Sequence, residues 1–180
     1  LRIHNEYKIN SKHSLEFGAQ LTKNEVDYNY SINDTTTVIA QKDKGLLSTL
    51  YFQDKWNPTE RLSLNGGIRA THFDLKDEIF YEPRLSISYQ LNDQIKLKGA
   101  WGKYYQFVNR IVREDVSQGS RDFWLLANGN NSPISFSQHL ILGTSYEIDD
   151  WLFDVEFFEK EMTGLTEFSL RFQSALGADP

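Results

Sequence analysis

The strongest indication of fold class is the stretch Tyr51–Arg69, which reads YFQDKWNPTERLSLNGGIR. In its first half the apolar residues Phe52 and Trp56 are separated by polar ones, and apolar and polar residues alternate again in its second half. Between the halves stands NPTE, residues 57–60, and asparagine and proline are both typical of tight turns. Because successive strand residues point to opposite faces, a period of two on both sides of a turn predicts a β-hairpin.

The same period of two recurs along the rest of the chain, and helical spacing is almost absent. We expect eight antiparallel strands of about ten residues each, with an apolar and a polar face. One face carries leucine, isoleucine, phenylalanine, valine and alanine, whereas the other carries charged residues, serine, threonine and glutamine. The predicted strands cover residues 1–9, 15–22, 46–56, 62–71, 84–91, 95–104, 138–147 and 151–160.

Short and long connections alternate strictly along this series of strands. A soluble β-sandwich has no reason to alternate in this way, whereas an outer-membrane barrel has tight periplasmic turns and long extracellular loops. Strands of about ten residues also fit a tilted crossing of the hydrocarbon layer. The short turns are predicted at 10–12, 57–60, 92–94 and 149–150, and the long connections at 24–45, 74–82, 105–136 and 161–180.

Composition excludes several other classes of protein. The chain has 180 residues with a formal net charge of −6, which argues against a dedicated nucleic-acid binder. It has no cysteine, which excludes disulfide scaffolds, thiolate metal sites and cysteine nucleophiles. A mean hydropathy of −0.53, without an apolar run of about 18 residues, excludes a transmembrane helix.

Aromatic residues make up 14% of the chain, and a membrane barrel has a place for them. Tyrosine and tryptophan gather at membrane–water interfaces because their rings are amphipathic. We expect interface aromatics at Trp56, Tyr89, Trp101 and Trp151, with Trp56 and Trp151 at periplasmic strand ends. The alternative is a soluble antiparallel sheet with one solvated face, in which these aromatics form the core.

The direction of the strands bears on how much of a barrel is present. The first strand would descend to the periplasm and the eighth would end on the outer side, so we expect an internal stretch of a larger barrel. Large outer-membrane transporters have about 22 strands around a plugged lumen. At about ten residues each, those strands alone need some 220 residues. We therefore expect residues 1–180 to form a partial β-barrel domain.

Three hairpins in series resemble those of TonB-dependent outer-membrane receptors. The first is Tyr51–Arg69, with a tyrosine-x-glutamine-aspartate strand and a second strand that ends in glycine-hydrophobic-arginine. The second joins Glu82–Leu91, which a proline-arginine opens, to Lys98–Gln106, which ends in glycine-x-tyrosine-tyrosine-glutamine. The third runs from Leu142 to Leu165, and the resemblance covers residues 46–170.

The resemblance implies the fold, the function and the partners. It implies a 22-stranded barrel with an N-terminal plug domain, and energised uptake of a scarce ligand of the siderophore, haem, cobalamin or glycan class. The implied partners are outer-membrane lipid, the rest of the barrel with its plug, and a TonB-type energy-transducing protein that acts through the N-terminal part. Neither the plug nor a TonB box is recognisable here, so we expect this stretch to supply wall, lumen lining and loops. No cofactor is implied.

The connection 105–136 is the best candidate ligand-binding segment. Guanidinium groups bind carboxylate and phosphate with a planar fork, and loop aromatics offer stacking surfaces for sugars or flat ligands. The alternative is a small satellite core formed by Trp124, Leu125 and Leu126, with the arginines paired to nearby acidic residues. The candidate residues in this connection are Arg110, Arg113, Arg121, Phe123 and Trp124.

A second cationic group is predicted on the lumen side of the strands. Arg69, Arg84, Lys96 and Lys98 occupy polar-face positions and form a cationic stripe. In the resembling family such charges commonly contact the plug, so structural pairing is favoured over ligand binding. The four histidines lie in separate segments without ligand spacing, and no metal site is predicted.

Two other function classes compete with a receptor. The first is a small β-barrel or β-sheet binding or adhesion module that presents the loop with Arg113 and Trp124 to a glycan or protein. The second is an enzyme on a small barrel, but no serine-histidine-aspartate or paired-carboxylate spacing supports it. We therefore expect a non-enzymatic protein.

Overall fold

The computed structural model describes residues 1–32, 36–113, 121–127 and 132–165. These residues form no helix that could span a membrane. Their regular structure consists of ten β-strands. The strands are β1 Arg2–Lys8, β2 His13–Ile32, β3 Thr36–Thr59, β4 Leu62–Phe73, β5 Glu78–Gln90, β6 Ile95–Gln106, β7 Val108–Arg113, β8 Arg121–Leu126, β9 Ser135–Ile148 and β10 Trp151–Thr163.

Eight of these strands form one sheet, in which β9 lies beside β6 and the other neighbours follow the order of the chain. Every sheet pair with a described register is antiparallel. The sheet is open, with β1 and β10 as its edges, and β7 and β8 form a separate two-stranded sheet. The prediction of an all-β, antiparallel, up-and-down segment with eight strands in its sheet is confirmed.

The chain falls into two compact units. The first comprises Leu1–Asn24, Gly45–Tyr105 and Phe136–Thr163, and the second comprises Glu25–Lys44, Gln106–Ser135 and Gly164–Pro180. The second unit has a small apolar core of its own. Its buried side chains are Phe107, Ile111, Leu126 and Ala127.

Cross-strand register in the first unit divides the side chains between two faces. Ile68 of β4 pairs with Phe52 of β3 and with Pro83 of β5, so the apolar positions of adjacent strands lie on one face. This face is exposed: Leu50 keeps 66% of its accessible surface and Val155 keeps 67%. Monomeric soluble proteins rarely expose apolar surface so continuously. The face therefore requires an apolar environment outside the sheet.

The opposite face of the first unit carries two of its four described ion pairs and several buried polar groups. Arg69 pairs with Glu82 across β4 and β5. Thr49 and Thr71 share a buried hydroxyl–hydroxyl hydrogen bond of 3.1 Å. Beside Thr71 on the same face, the Phe73 side chain is fully buried. In a soluble sheet the apolar face is buried in the core and the polar face is exposed. Here the apolar face is the exposed one.

Three of the four short turns lie where the sequence predicts them, whereas the turn predicted at 57–60 lies at 60–61 because β3 continues, with a register shift after Trp56, to Thr59. Side-chain oxygens hold two of the turns. The Asn10 carboxamide oxygen accepts hydrogen bonds from the backbone N–H groups of Lys12 and His13, at 2.8 and 2.9 Å. The Asn92 oxygen makes the same pair of bonds at 3.0 and 2.8 Å. Such Asx turns fix the chain reversal and therefore the register of the flanking strands.

The bounds of the long connections differ from those predicted. The connection expected at 24–45 is strand over most of its length, because β2 runs to Ile32 and β3 begins at Thr36. Ion pairs join these extensions, Lys44 to Glu25 at 2.9 Å and Lys42 to Asp27 at 3.3 Å. The hydrogen bond to Glu25 raises the pKa of Lys44, which lies before the apolar stretch that starts at Leu46. In 36–45 polar residues occupy both sets of alternating positions, so no amphipathic pattern marks this part of β3. The extension of β2 does alternate, with Val26, Tyr28, Tyr30 and Ile32 between polar residues, and the predicted strand bounds missed this signal.

The other three connections are also shorter or more structured than expected. At 74–82 the turn occupies only 74–77, and β5 already begins at Glu78. Within 105–136 the chain forms the hairpin β7–β8, so the described residues contain ten strands in all. At the C-terminal end β10 continues to Thr163, and 166–180 lie outside the described residues.

Candidate functional site

The charges on the polar face are paired across strands. Arg69 Nε lies 3.3 Å from Glu82 Oε2, an ion pair without the angle of a hydrogen bond, and the Glu82 side chain is almost completely buried. Lys98 donates to Asp154 Oδ2 at 2.6 Å, and Ser145 Oγ donates to the same oxygen at 3.0 Å. These contacts join β4 to β5 and β6 to β9 and β10. Two of the four predicted cations thus serve strand-to-strand pairing.

The other two predicted cations on this face are placed differently. The Arg84 guanidinium lies over the Tyr104 ring, 5.5 Å from its centroid. Lys96 is exposed, and it borders a hollow of about 420 Å³ beside the short turn at 60–61. The register places Lys96 and Lys98 opposite Gln90 and Ser88 of β5. All four cations therefore lie on one face of the first unit.

The structure also shows a cleft of about 190 Å³ that sequence patterns did not reveal. His4 Nδ1 lies 2.7 Å from the hydroxyl of Tyr51, and the Arg2 guanidinium lies 5.9 Å from the centroid of that ring. The ring fits because position 18 is glycine: a Cβ there would lie 2.5 Å from the Tyr51 hydroxyl. A tyrosine on the polar face opposite a cross-strand glycine was the available signal. Arg69 and Arg84 also line this cleft.

The candidate residues of connection 105–136 lie on the hairpin β7–β8. Arg110 pairs with Trp124 and Arg113 pairs with Arg121, while Phe123 pairs with Ile111. The hairpin therefore brings all five candidates together on two adjacent strands. The side chains of Arg113, Arg121 and Phe123 lie outside the described part of the structure, as do Glu114 and Asp115.

The described side chains of this hairpin combine both alternatives considered for it. Leu126 is fully buried in the core of the second unit, as a satellite core requires. Trp124 does not join it and keeps 53% of its surface exposed. Arg110 is exposed as well. An arginine and an indole on paired strands, both accessible, form a surface that can bind an anionic or aromatic group.

The predicted interface aromatics lie on the apolar face at different distances from the short turns. Trp56 precedes the turn at 60–61, Tyr89 precedes the turn at 91–94, and Trp151 follows the turn at 149–150. Trp56 stacks on His13 with 5.7 Å between ring centroids. Trp101 pairs with Leu85 further along its strand, and Lys103 lies 5.9 Å from its ring centroid.

Comparison with known proteins places the chain in a family. Residues 2–165 match the family model described as TonB dependent receptor-like, beta-barrel. No curated protein sequence matches the chain. The match confirms the family suggested by the three hairpins, and this is a family of receptors rather than of enzymes. It therefore favours the receptor over the adhesion module and the small-barrel enzyme.

Solved structures with the same fold belong to much longer proteins. The ferric enterobactin receptor PfeA (G324V mutant) of Pseudomonas aeruginosa aligns with a TM-score of 0.63 and 16% identity, over 89% of this chain and 26% of the receptor. The siderophore receptor PirA of P. aeruginosa aligns with a TM-score of 0.60 and 16% identity, over 89% of this chain and 30% of that receptor. OmpT, an outer-membrane protein of Vibrio cholerae, aligns with a TM-score of 0.51 and 12% identity, over 91% of this chain and 46% of that protein.

The chain thus spans about a quarter of the length of PfeA, the first of these receptors. The exposed apolar face, the alternation of short turns with longer connections and the match over residues 2–165 agree with one another. The chain belongs to the β-barrel domain family of TonB-dependent receptors, which lie in the outer membrane of Gram-negative bacteria.

Proposed function

We propose that this chain is wall and loop of a receptor that imports a siderophore across the outer membrane. The observation that carries the proposal is the two-faced sheet of the first unit, whose exposed apolar face suits lipid and whose charged face suits a wet lumen. A sheet with those two faces and two open edges is suited to continue into further strands of a barrel.

The siderophore class is proposed ahead of haem, cobalamin and glycans. Two of the solved structures that share the fold are named a ferric enterobactin receptor and a siderophore receptor. Ferric siderophores are often anionic, and the exposed Arg110 and Trp124 offer a cation beside a stacking surface. In this proposal Arg113, Arg121 and Phe123 complete the ligand-contacting hairpin.

The cations of the polar face have a different role in this proposal. Arg69 and Lys98 line the lumen as paired charges that fix strand register, because each already has a carboxylate partner. Arg84 and Lys96 line the same lumen, and neither has a carboxylate partner among the described residues. The proposed partners of the whole receptor are the remaining barrel strands, a plug domain, outer-membrane lipid and a TonB-type energy-transducing protein.

Uptake by the full-length receptor tests this proposal. A strain that lacks its own siderophore receptors and expresses the full-length protein is supplied with radioactive iron as ferric enterobactin, a ferric hydroxamate or ferric citrate, with haemin and cyanocobalamin as competing classes. We expect energy-dependent uptake of at least one ferric siderophore. Uptake of haemin or cyanocobalamin alone would contradict the siderophore class.

A triple variant tests the role of the hairpin. Replacing Arg113, Arg121 and Trp124 together by alanine should weaken ligand binding and uptake while the heat stability of the barrel is retained. The matched control is Arg61→Ala, which removes an exposed arginine in the short turn at 60–61 of the first unit. Unchanged ligand affinity in the triple variant would remove the hairpin from the binding site.

A further inference from the structure

The apolar face of the first unit contains a carboxylate among aromatic and aliphatic side chains. Asp54 of β3 pairs with Gly66 of β4, which pairs in turn with Leu85 of β5. Because successive side chains of a strand point to opposite faces, Asp54 shares its face with Phe52 and Trp56. Phe52 keeps 47% of its surface exposed and Trp56 keeps 41%. The carboxylate therefore faces the surroundings of the sheet and not the lumen.

Asp54 has an ion-pair partner on the same face. His13 Nδ1 lies 2.8 Å from Asp54 Oδ2, and the imidazole stacks on the Trp56 ring with 5.7 Å between centroids and 11° between planes. His13 is the first residue of β2, and the Asn10 side-chain oxygen fixes it by accepting its backbone N–H at 2.9 Å. The three side chains of Asp54, His13 and Trp56 form one group, the Asp54 cluster.

The Asp54 cluster lies at the level of the lipid headgroups. Trp56 precedes the short turn at 60–61, and tryptophan gathers at the membrane–water interface. Asp54 is two residues further from that turn, which is about 5 Å along the membrane normal at about 3.3 Å per residue and a tilt near 40°. Its side chain reaches His13, which lies against the Trp56 ring. The carboxylate thus stands within the interfacial region, which is about 5–7 Å thick on each side of the hydrocarbon layer.

One oxygen of this carboxylate has no protein donor. Asp54 Oδ1 is inaccessible and has no hydrogen-bond partner among the described residues, whereas 29% of the side chain as a whole is exposed. The torsion that turns a carboxylate is broad in aspartate, so a turn of the group brings Oδ1 to the surface. Space lies beside it because position 66 is glycine, and a Cβ there would meet, among the described residues, only a methyl group of Leu85 at 3.6 Å. An ionised carboxylate at an apolar surface is costly without a donor, so this oxygen requires one from the lipid side.

The charges of the cluster match a zwitterionic headgroup that carries N–H donors. In the ion-paired form the imidazolium of His13 and the carboxylate of Asp54 have no net charge, so they give no advantage to an anionic headgroup. A primary ammonium donates charge-assisted hydrogen bonds to a carboxylate and is attracted to the face of an indole ring. Phosphatidylethanolamine has this ammonium beside a phosphate. Phosphatidylcholine has the same charges but no N–H donor.

We propose that the Asp54 cluster binds a phospholipid of the periplasmic leaflet whose headgroup carries a primary ammonium, namely phosphatidylethanolamine. The ammonium donates to the Asp54 carboxylate, and the phosphate accepts a hydrogen bond from the second ring nitrogen of His13. The acyl chains follow the apolar face past Phe52 and Leu85. The inference rests on the contact of the apolar face with lipid, as proposed above, and involves no group of the lumen face.

The test is lipid binding by the full-length receptor. The receptor is stripped of lipid in detergent and titrated with phosphatidylethanolamine, phosphatidylcholine or phosphatidylglycerol, and bound lipids are counted by native mass spectrometry. We expect the first phosphatidylethanolamine to bind about 5- to 10-fold more tightly than either other lipid. Equal binding of the three lipids overturns the proposal, and so does tighter binding of phosphatidylglycerol, because the site would then select negative charge. No outcome depends on transport, so failure of siderophore uptake would contradict only the proposed function.

A variant locates this preference on the receptor. Asp54→Asn keeps the shape of the side chain and removes its charge, so we expect phosphatidylethanolamine to bind about 5- to 10-fold more weakly, as phosphatidylcholine does. The matched control is Asp150→Asn, the same change at an exposed aspartate in the short turn beside Trp151, which should keep the preference. Heat-modifiable electrophoretic mobility shows that each variant is folded. A preference for phosphatidylethanolamine that is unchanged in Asp54→Asn, or lost equally in Asp150→Asn, would overturn the proposal.

Discussion

A charge placed in the middle of the apolar face tests its orientation toward lipid. Leu50 lies on this face with 66% of its surface exposed, six residues before Trp56 on the same strand. At about 3.3 Å per residue and a tilt near 40°, six residues span about 15 Å along the membrane normal. If Trp56 marks one interface of a hydrocarbon layer about 30 Å thick, Leu50 lies near its midplane.

We therefore expect Leu50→Arg to destabilise the full-length receptor in phospholipid vesicles by about 2–4 kcal/mol. The same change at Leu91, on the same face beside a short turn, should cost only about 0–1 kcal/mol because the site is interfacial. Ser88→Arg adds the same charge to the polar face and should have a similarly small effect.

The assay is equilibrium unfolding in denaturant, with heat-modifiable electrophoretic mobility as a check that each variant inserts. The three variants are compared by their loss of unfolding free energy, which should be largest for Leu50→Arg. Equal costs for Leu50→Arg and Ser88→Arg would refute the assignment of the two faces. A cost for Leu91→Arg as large as that for Leu50→Arg would refute the placement of the interface.

Three further predictions concern single positions. Gly164→Ala should lower the free energy of unfolding by about 1–2 kcal/mol, because the residue has φ of +70° and a Cβ would lie 2.6 Å from the Ile134 carbonyl oxygen. Thermal unfolding measures this loss, and an unchanged midpoint temperature would contradict it. Brominated lipids should quench Trp56, as the only tryptophan left in a variant, most when the bromine lies near the headgroups, because this residue is predicted to lie at the membrane interface; a quenching maximum deep in the acyl chains would contradict that place. Asn92→Ala should cost about 1 kcal/mol and slow refolding, since both hydrogen bonds of its Asx turn are lost; unchanged refolding kinetics would contradict that role of the turn.

The sequence was sufficient for the sheet because the membrane imposes one rule on every strand. Apolar residues must alternate with polar ones, so the pattern predicts which residues share a face, as Ile68 does with Phe52 and Pro83. The turns at Asn10 and Asn92 could also be predicted, because asparagine favours turns in which its side-chain oxygen accepts backbone hydrogen bonds, as it does here.

Two parts of the fold were not predicted from the sequence: the strand extensions beyond Asn24 and before Gly45, and the hairpin β7–β8. The extension of β3 with Lys44 has polar residues at both sets of alternating positions, so no alternation marks it, and an ion pair with Glu25 joins it to β2. The extension of β2 does alternate at Val26, Tyr28, Tyr30 and Ile32, so it was predictable and was missed. The hairpin β7–β8 is also short, with six residues in each strand. Periodicity over so few residues does not distinguish strand from loop.

The candidate site was predictable in type but not in arrangement. The alternation of successive strand residues between two faces is enough to predict the polar-face positions of Arg69, Arg84, Lys96 and Lys98. Which of them is paired does not, because the partner of Lys98, Asp154, is 56 residues away in the chain. The two glycines beside Arg84, Gly67 and Gly102, become its neighbours only through the register of three strands.

The most direct test of the central claim is the environment of consecutive residues along one strand. Residues 1–180 contain no cysteine, so single cysteines at positions 84–89 can carry spin labels once any cysteine elsewhere in the full-length receptor has been replaced. In lipid vesicles we predict an alternation with a period of two. Labels at Leu85, Ile87 and Tyr89 should be accessible to oxygen dissolved in lipid, and those at 84, 86 and 88 to a water-soluble nickel complex. Equal access of both reagents at odd and even positions would contradict a strand between lipid and lumen.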